Sequence, residues 1–125
     1  MKYYLSLGSN INPESNLELA ISSLNKILTE TECSSIYKTQ AEGFEGDDFL
    51  NLIFSGVSSL AFDDLNEKLK DIEDSSGRDR NAQKFSSRTL DIDIVLQLND
   101  DEEILFESDE VAKYRFVSEP LEELL

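Results

Sequence analysis

Two aspartates, Asp91 and Asp93, interrupt an apolar run that extends over residues 90–96. The pattern predicts a buried β-strand, and because successive strand side chains point to opposite faces, both carboxylates share one face, about 7 Å apart. The apolar residues of the run would take the other face and pack into a core: Leu90, Ile92, Ile94 and Leu96. Two like charges side by side are unfavourable unless a cation lies between them. A divalent ion that prefers oxygen ligands, such as Mg²⁺, is the simplest candidate.

A solvated strand face is the alternative interpretation, and a chain with 27 acidic residues makes it a serious one. The surroundings favour a metal site, because four of the eleven basic residues lie just upstream, at Arg78, Arg80, Lys84 and Arg88. Carboxylates that hold a metal ion, beside cations that bind phosphate, are typical of phosphoryl transfer. The chain has no phosphate-binding loop of the Gly-x-x-x-x-Gly-Lys-Ser/Thr type. The residues alone therefore indicate metal-dependent handling of a polyphosphate.

Length and composition restrict the other possibilities. The 125 residues predict one domain, spanning residues 1–125, with its own core. A net charge of −16 argues against nucleic acid or an anionic membrane as a general partner. The lack of histidine and the single cysteine, Cys33, argue against a structural zinc site and an internal disulfide, and we expect Cys33 to be buried. No apolar stretch could span a bilayer and no signal peptide is evident, so we expect a cytoplasmic protein.

The elements that position the aspartates follow from hydrophobic periodicity. The predicted strands cover residues 2–7, 32–38, 49–58 and 88–96, with a short edge strand at 103–106. The predicted helices cover residues 13–28 and 61–75, with only short helical turns near 108–112 and 120–124. Two strand–helix–strand units with both helices on one face of a mainly antiparallel sheet predict an α+β fold of the ferredoxin-like arrangement.

Two polar segments between these elements are candidates for function. The first strand ends in Gly8-Ser9-Asn10, a sharp turn whose side chains can bond nearby backbone or a ligand. The loop over residues 39–48 contains two glycines and is long for a hairpin, as functional loops often are.

Several motifs resemble those of the 6-hydroxymethyl-7,8-dihydropterin pyrophosphokinase family of folate biosynthesis. They are Ser6-Leu7-Gly8-Ser9-Asn10, Ser35-Ile36-Tyr37-Lys38-Thr39, Phe49-Leu50-Asn51, Glu73 with Gly77-Arg78, and Arg88-Thr89-Leu90-Asp91-Ile92-Asp93. Their order and spacing extend over residues 1 to about 98. The resemblance implies a ferredoxin-like fold. It also implies transfer of the β,γ-pyrophosphoryl group of ATP to the pterin hydroxymethyl oxygen, with two Mg²⁺ ions and release of AMP.

The resemblance also implies roles for individual residues of this sequence. Asp91 and Asp93 would hold both metal ions and would act in catalysis together with Arg78 and Arg88. Nucleotide contacts are implied for Glu73, Arg78, Arg80, Lys84, Arg88 and Arg115. Pterin contacts are implied for Thr39, Gln40, Glu42, Phe49, Asn51, Phe85 and Phe116. The implied partners are these small molecules, and we expect a monomer, with a dimer as the alternative.

The sequence departs from the family pattern in three places. Gln40 and Ala41 stand where prolines follow the threonine, and residues 85–87 replace a Trp-Gly-Pro sequence. The region after about residue 98 is shortened, with Ser108 and Tyr114 at the positions of a histidine and an arginine that contact ATP phosphates. Two alternatives to an active enzyme therefore stay open. One is a weakly active or inactive relative that binds pterin or nucleotide, and the other is an acidic interaction module on the same fold.

Overall fold

The computed structural model describes residues 1–40, 46–77 and 89–125, which form six strands and four helices. The strands are β1 (Lys2–Ser9), β2 (Thr29–Cys33), β3 (Tyr37–Thr39), β4 (Phe49–Val57), β5 (Asp91–Leu98) and β6 (Ile104–Glu107). The helices are α1 (Pro13–Ile27), α2 (Phe62–Ser75), α3 (Glu110–Lys113) and α4 (Arg115–Leu124). Within these described ranges, no helix has the length and apolar character needed to cross a membrane.

All strands belong to one antiparallel sheet in the order β2-β4-β1-β5-β6, with β3 also paired to β4. Strand β1 is central, between β4 and β5, and α1 and α2 connect strands on one side of the sheet. This order and connectivity confirm the predicted α+β, ferredoxin-like arrangement.

The predicted strand over residues 32–38 is in fact two strands, β2 and β3. Between them the Ser34 N–H donates a hydrogen bond of 2.8 Å to the Ile53 carbonyl oxygen. The Ile53 N–H in turn donates one of 2.9 Å to Ser34 Oγ. The serine hydroxyl takes the place of a backbone acceptor, so regular pairing stops here. Polar side chains that compete for backbone groups commonly interrupt secondary structure in this way.

Helices α1 and α2 cover what we call the first face of the sheet. Their apolar residues recur at helical spacing and pack on alternate residues of the strands, where successive side chains point to opposite faces. From the helices this core contains Leu17, Ala20, Leu24, Leu65, Leu69 and Ile72. From the strands it contains Tyr3, Leu5, Leu7, Leu52, Phe54, Ile92 and Ile94.

Helix α4 packs on the opposite side, the second face, where its Val117 and Leu121 meet a smaller apolar cluster. The strands contribute Tyr4, Ile53, Val95 and Leu96 to this cluster. The expectation of only short helical turns after residue 107 was therefore wrong for α4, which has ten residues. Its apolar face is defined by a partner surface that residues far away in sequence supply.

A β-bulge at Val95 explains how two consecutive residues of β5 reach the second face. Tyr4 pairs with Leu96 but Leu5 pairs with Ile94, so Val95 is an extra residue. The expectation that Leu96 would share a face with Ile94 was wrong for this reason. A bulge reverses the alternation of the residues that follow it, and bulges are frequent next to active sites.

A polar contact attaches the far end of α4 to the sheet. The Glu123 carboxylate accepts hydrogen bonds from the backbone N–H and the hydroxyl of Ser35, at 3.0 and 2.9 Å, and from Tyr37 Oη at 2.5 Å. The bond from Tyr37, followed by those from Ser35, lowers the pKa of Glu123. The same bond raises the pKa of Tyr37. The contact thus depends on an ionised Glu123 and a protonated Tyr37.

Cys33 is exposed on β2, contrary to the expectation of a buried core thiol. The reason is its place in the sheet, because β2 lies at the end of the strand order and most of its residues are exposed.

Candidate active site

A row of residues crosses the second face near the end of β1. Gly8 pairs with Asp91 of β5 on one side and with Asn51 of β4 on the other, and Asn51 pairs in turn with Tyr37 of β3. Directly opposed residues of antiparallel strands share a face. Because neighbouring strands are about 4.8 Å apart, the backbone positions of Asp91 and Asn51 are about 10 Å apart. The row places a carboxylate and an amide on the two sides of a glycine.

Asp91 and Asp93 lie on the same face of β5, as their spacing predicts. Asp91 pairs with Gly8 and Asp93 with Ser6, while Ile92 between them belongs to the core of the first face. Both aspartates are half-buried. Two carboxylates therefore emerge side by side where the apolar cluster of the second face gives way to polar residues.

Buried Glu73 of α2 holds the backbone of β5 between the two aspartates. Its side chain is 4% exposed, and its Oε2 atom accepts a hydrogen bond of 2.7 Å from the Ile92 N–H. Strand β6 pairs with β5 only along Leu96–Leu98, so in the described part of the chain the carboxylate stands where a neighbouring strand would otherwise bond. Charge-assisted bonds of this kind are stronger than neutral ones. A nucleotide contact of Glu73 stays a prediction, whereas the observed contact serves the strand of Asp91 and Asp93.

At the other end of the row, the amide of Asn51 is 5% exposed and is held against Thr39. Its Nδ2 atom donates a hydrogen bond of 2.8 Å to Thr39 Oγ1. Thr39 pairs with half-buried Phe49 at the start of β4, and Gln40 is exposed just beyond β3. An amide fixed in this way offers a donor and an acceptor, which suits the polar edge of a heterocyclic ring.

Gly8 is required by the position of this amide. A Cβ atom at Gly8 would lie 3.0 Å from Asn51 Oδ1 and 3.9 Å from Phe49 Cδ1. The first distance is too short for an ordinary contact, so a side chain at residue 8 would displace the Asn51 amide. Glycine thereby leaves space over β1 between the carboxylate and the amide.

Helix α3 brings a third carboxylate, that of Glu110, near the aspartates. Burial raises the pKa of Glu110, and the negative charges of Asp91 and then Asp109 raise it further. The charge of Asp91 on β5 thus acts on Glu110 of α3. Sequence reasoning missed Glu110, because one more glutamate in a tail rich in acidic residues carries no distinguishing signal.

Phe116, the predicted stacking residue for the pterin, packs against Tyr114. The two ring centroids are 4.8 Å apart and the ring planes differ by 22°. Tyr114 covers one face of the Phe116 ring, and stacking of a pterin on its other face stays a prediction. Arg115, between the two aromatic residues, is exposed at the start of α4.

Several residues with predicted roles lie outside the described residues. They are Glu42, Arg78, Arg80, Lys84, Phe85 and Arg88. The described residues that flank the basic segment meet, because Ser76 Oγ and Thr89 Oγ1 are 2.8 Å apart. Thr89 precedes Asp91 by two residues, so the described residues on both sides of the basic segment lie at the carboxylate side of the row.

The two aspartates fit Mg²⁺ that is shared with a phosphate. Mg²⁺ is usually held by one or two carboxylates together with water and substrate phosphate oxygens, rather than by an all-protein cage. Over residues 1–40, 46–77 and 89–125, no group of three or more His, Cys, Asp or Glu side chains could hold a metal ion. A Mg²⁺ site at Asp91 and Asp93 stays a prediction, and the two carboxylates suit an ion that also takes phosphate oxygens.

Comparisons with known proteins point to one family. A family model described as 7,8-dihydro-6-hydroxymethylpterin-pyrophosphokinase matches residues 4–125. A protein of Aquifex aeolicus named 2-amino-4-hydroxy-6-hydroxymethyldihydropteridine pyrophosphokinase is 37% identical over 95 residues, which cover 74% of this chain and 59% of that protein. The Bacillus subtilis protein of the same name is 34% identical over 128 aligned positions, which cover 97% of this chain and 76% of that protein. A third protein of this name, from Synechocystis, is 35% identical over 94 residues, 73% of this chain and 48% of that protein.

Proposed function

Because this chain belongs to the 7,8-dihydro-6-hydroxymethylpterin-pyrophosphokinase family, we propose that it transfers the β,γ-pyrophosphoryl group of ATP to 6-hydroxymethyl-7,8-dihydropterin. The row from Asp91 across Gly8 to Asn51 carries the proposal. A carboxylate pair at one end suits Mg²⁺ and polyphosphate, and a buried amide at the other end suits the polar edge of a pterin. The reacting groups would meet over Gly8, in the roughly 10 Å between the two ends.

In the proposed reaction the hydroxymethyl oxygen of the pterin attacks the β-phosphorus of ATP. A bond forms between these two atoms, and the bond from the β-phosphorus to the oxygen that bridges to the α-phosphate breaks. AMP leaves with that electron pair, and the hydroxyl proton passes to water. Such a transfer depends on alignment and charge stabilisation more than on covalent help from the protein.

The roles of the residues follow from this reaction. Bound Mg²⁺, two ions in the proposal, supplies positive charge to the phosphate oxygens. Asp91 and Asp93 hold the ions, and Glu73 fixes the strand that presents these aspartates. The other proposed nucleotide contacts come from Arg78, Arg80, Lys84, Arg88 and Arg115, with Arg78 and Arg88 acting in catalysis. The proposed pterin contacts come from Thr39, Gln40, Glu42, Phe49, Asn51, Phe85 and Phe116.

Release of AMP from ATP in the presence of Mg²⁺ and 6-hydroxymethyl-7,8-dihydropterin tests the proposal. We expect one AMP per pyrophosphorylated pterin and loss of turnover when EDTA removes the metal. Asp91→Asn is the matched control, because it keeps the size of the side chain and removes its charge. AMP release no faster than that of this variant would contradict the proposal.

Calorimetric measurement of substrate binding, made together with the AMP assay, separates an active enzyme from a relative without turnover and from an interaction module. Binding of pterin or nucleotide without AMP release would indicate a relative that has lost turnover. Absence of binding by both substrates would instead favour an interaction module on this fold.

A further inference from the structure

Two adjacent side chains at the end of β1, Ser9 and Asn10, reach two distant parts of the chain. Ser9 is fully buried, and its hydroxyl lies 2.5 Å from the carbonyl oxygen of Thr89, the nearer acceptor, and 3.1 Å from that of Ile11 in the same turn. Asn10 is 3% exposed, and its Nδ2 atom donates a hydrogen bond of 3.0 Å to the carbonyl oxygen of Asp47. One turn thus holds residues that are 80 and 37 positions away in sequence.

Thr89 belongs to the phosphate half of the proposed site, the part of the site that contains the two metal-binding aspartates. It precedes Asp91 by two residues, and its Oγ1 atom is 2.8 Å from Ser76 Oγ at the end of α2. Ser76 Oγ in turn donates a hydrogen bond of 2.6 Å to the carbonyl oxygen of Glu73. Ser9 therefore holds the point where α2 meets the approach to β5.

Asp47 belongs to the pterin half, the part of the site that contains Asn51 and Thr39. It lies two residues before Phe49, the first residue of β4. Asn51 follows on that strand and bonds Thr39 of β3. Asn10 therefore holds the approach to the strand that carries the buried amide.

The turn itself is fixed by its place at the centre of the sheet. Gly8 pairs with both Asn51 and Asp91, and Ser9 pairs with Leu50. A buried donor that loses its acceptor costs about 1–3 kcal/mol, so movement of Asp47 away from Asn10 is opposed. Movement of Thr89 away from Ser9 is opposed because it replaces the shorter hydrogen bond by the longer one to Ile11. The two bonds together oppose any change in the distance between the halves.

We propose that Ser9 and Asn10 are positioning residues that hold the phosphate half and the pterin half at the distance the transfer requires. The inference rests on the proposed function. A displacement of about 1 Å between reacting groups can slow a reaction about 100-fold. Each substrate would still contact its own half after such a displacement, so kcat falls while both KM values change little.

Steady-state kinetics of Asn10→Ala test this, with Asn16→Ala as the matched control. Asn16 also donates from Nδ2 to a backbone carbonyl oxygen, that of Ile11 at 2.6 Å, but within the turn that leads into α1. In Asn10→Ala we expect kcat per folded molecule to fall about 10- to 100-fold. We expect KM for ATP and for the pterin to stay within about threefold of wild type. Asn16→Ala should keep the wild-type kcat even where thermal unfolding shows a similar loss of stability.

The double variant Ser9→Ala/Asn10→Ala separates alignment from stability. Once one bond is lost, Thr89 and Asp47 are no longer both tied to the turn, so the second loss should add little to the fall in kcat. Independent contributions would instead multiply. Asn10→Ser, whose side chain is shorter, replaces Asn10→Ala if the latter does not fold.

Folded Asn10 variants with wild-type kcat, or single effects that multiply in the double variant, would overturn the inference and leave the proposed function intact. A wild-type protein without turnover would overturn both.

Discussion

The first face of the sheet is mainly apolar under α1 and α2, whereas the second face changes from apolar to polar along β1. On the first face, Leu5 and Leu7 of β1 are fully buried under α1 and α2. On the second face, Tyr4 lies in the cluster under α4, but Ser6 and Gly8 pair with the two aspartates of β5. Alternate residues of the same strand thus serve a core on one side and a polar site on the other.

This difference shows that the residues of the core and the residues of the polar site alternate along the same strands, rather than lying in separate stretches of the chain. A residue and its neighbour on β1, β4 or β5 contribute to opposite faces. Substitutions on the first face should therefore change the free energy of unfolding, and substitutions at the polar end of the second face should change turnover.

The largest expected effect is that of Asp93→Asn on turnover. Loss of a carboxylate that is proposed to bind Mg²⁺ should remove several kcal/mol of charge stabilisation, so kcat for AMP release should fall about 1000-fold. The free energy of unfolding from urea titration should change by less than about 0.5 kcal/mol, as for most substitutions away from a core. A loss of stability large enough to explain the loss of turnover would contradict the separation of the faces.

Leu5→Ala should give the converse result. Removing a fully buried leucine leaves a cavity in the core of the first face and should lower the free energy of unfolding by about 2–5 kcal/mol. At a temperature where the variant is folded, kcat should equal that of wild type. Leu105→Ala is the control, since this leucine is 53% exposed and should change stability little.

Two glycines allow a direct test with one type of substitution. In Gly8→Ala the new Cβ atom would displace the Asn51 amide, so KM for the pterin should rise about tenfold, an effect of about 1.4 kcal/mol. In Gly56→Ala the Cβ atom would lie 2.8 Å from Leu28 Cβ in the core of the first face. That variant should instead lose about 1–3 kcal/mol of stability through overpacking. If both variants showed the same change in KM for the pterin, or the same change in the free energy of unfolding, the proposed difference between the two faces would be contradicted.

The smallest expected effect is the pH dependence of the contact between Glu123 and Tyr37. Because the pKa of Glu123 is lowered in the folded chain, its contribution is present above the usual value of 4.5 and is lost as pH falls through the lowered pKa. Because the pKa of Tyr37 is raised, its contribution is present below the usual value of 10.0 and is lost as pH rises through the raised pKa.

Thermal unfolding at pH values on both sides of 4.5 measures the acid limb of this dependence. Glu123→Gln should lose less stability than wild type as the pH falls. Glu122→Gln makes the same change of charge on the same helix and should follow wild type. A Glu123→Gln curve parallel to that of wild type would show that the contact adds nothing.

The order of β1, α1, β4, α2 and β5 along the chain and the shared face of Asp91 and Asp93 could be predicted because both depend on local periodicity. A period of two residues places the aspartates together wherever the strand lies in the sheet. The alternation failed at Leu96 because the bulge at Val95 arises from pairing with β1, which the sequence of β5 does not reveal.

The contacts that support the site could not be predicted either, because they too depend on partners that are far away in sequence. Glu73 resembles its acidic neighbours on α2 until the fold places it against the Ile92 N–H. Ser9 and Asn10 form a turn in which the Ser9 hydroxyl has a local acceptor, the Ile11 carbonyl oxygen, but their other acceptors belong to Thr89 and Asp47. Buried polar groups need partners, yet the sequence does not say which distant backbone group supplies them.

The central position of β1 also affects how the chain can fold while the ribosome synthesises it. The partners of β1 come from residues 49–57 and 91–98, so β1 is synthesised well before either of the strands that it pairs with. At roughly 5–20 residues per second, this interval lasts for seconds, during which Tyr3, Leu5 and Leu7 have no sheet to enter. Chains with such long-range pairing also fold slowly once complete. The net charge of −16 on the complete chain would keep molecules apart while they fold, a benefit of acidity unrelated to catalysis.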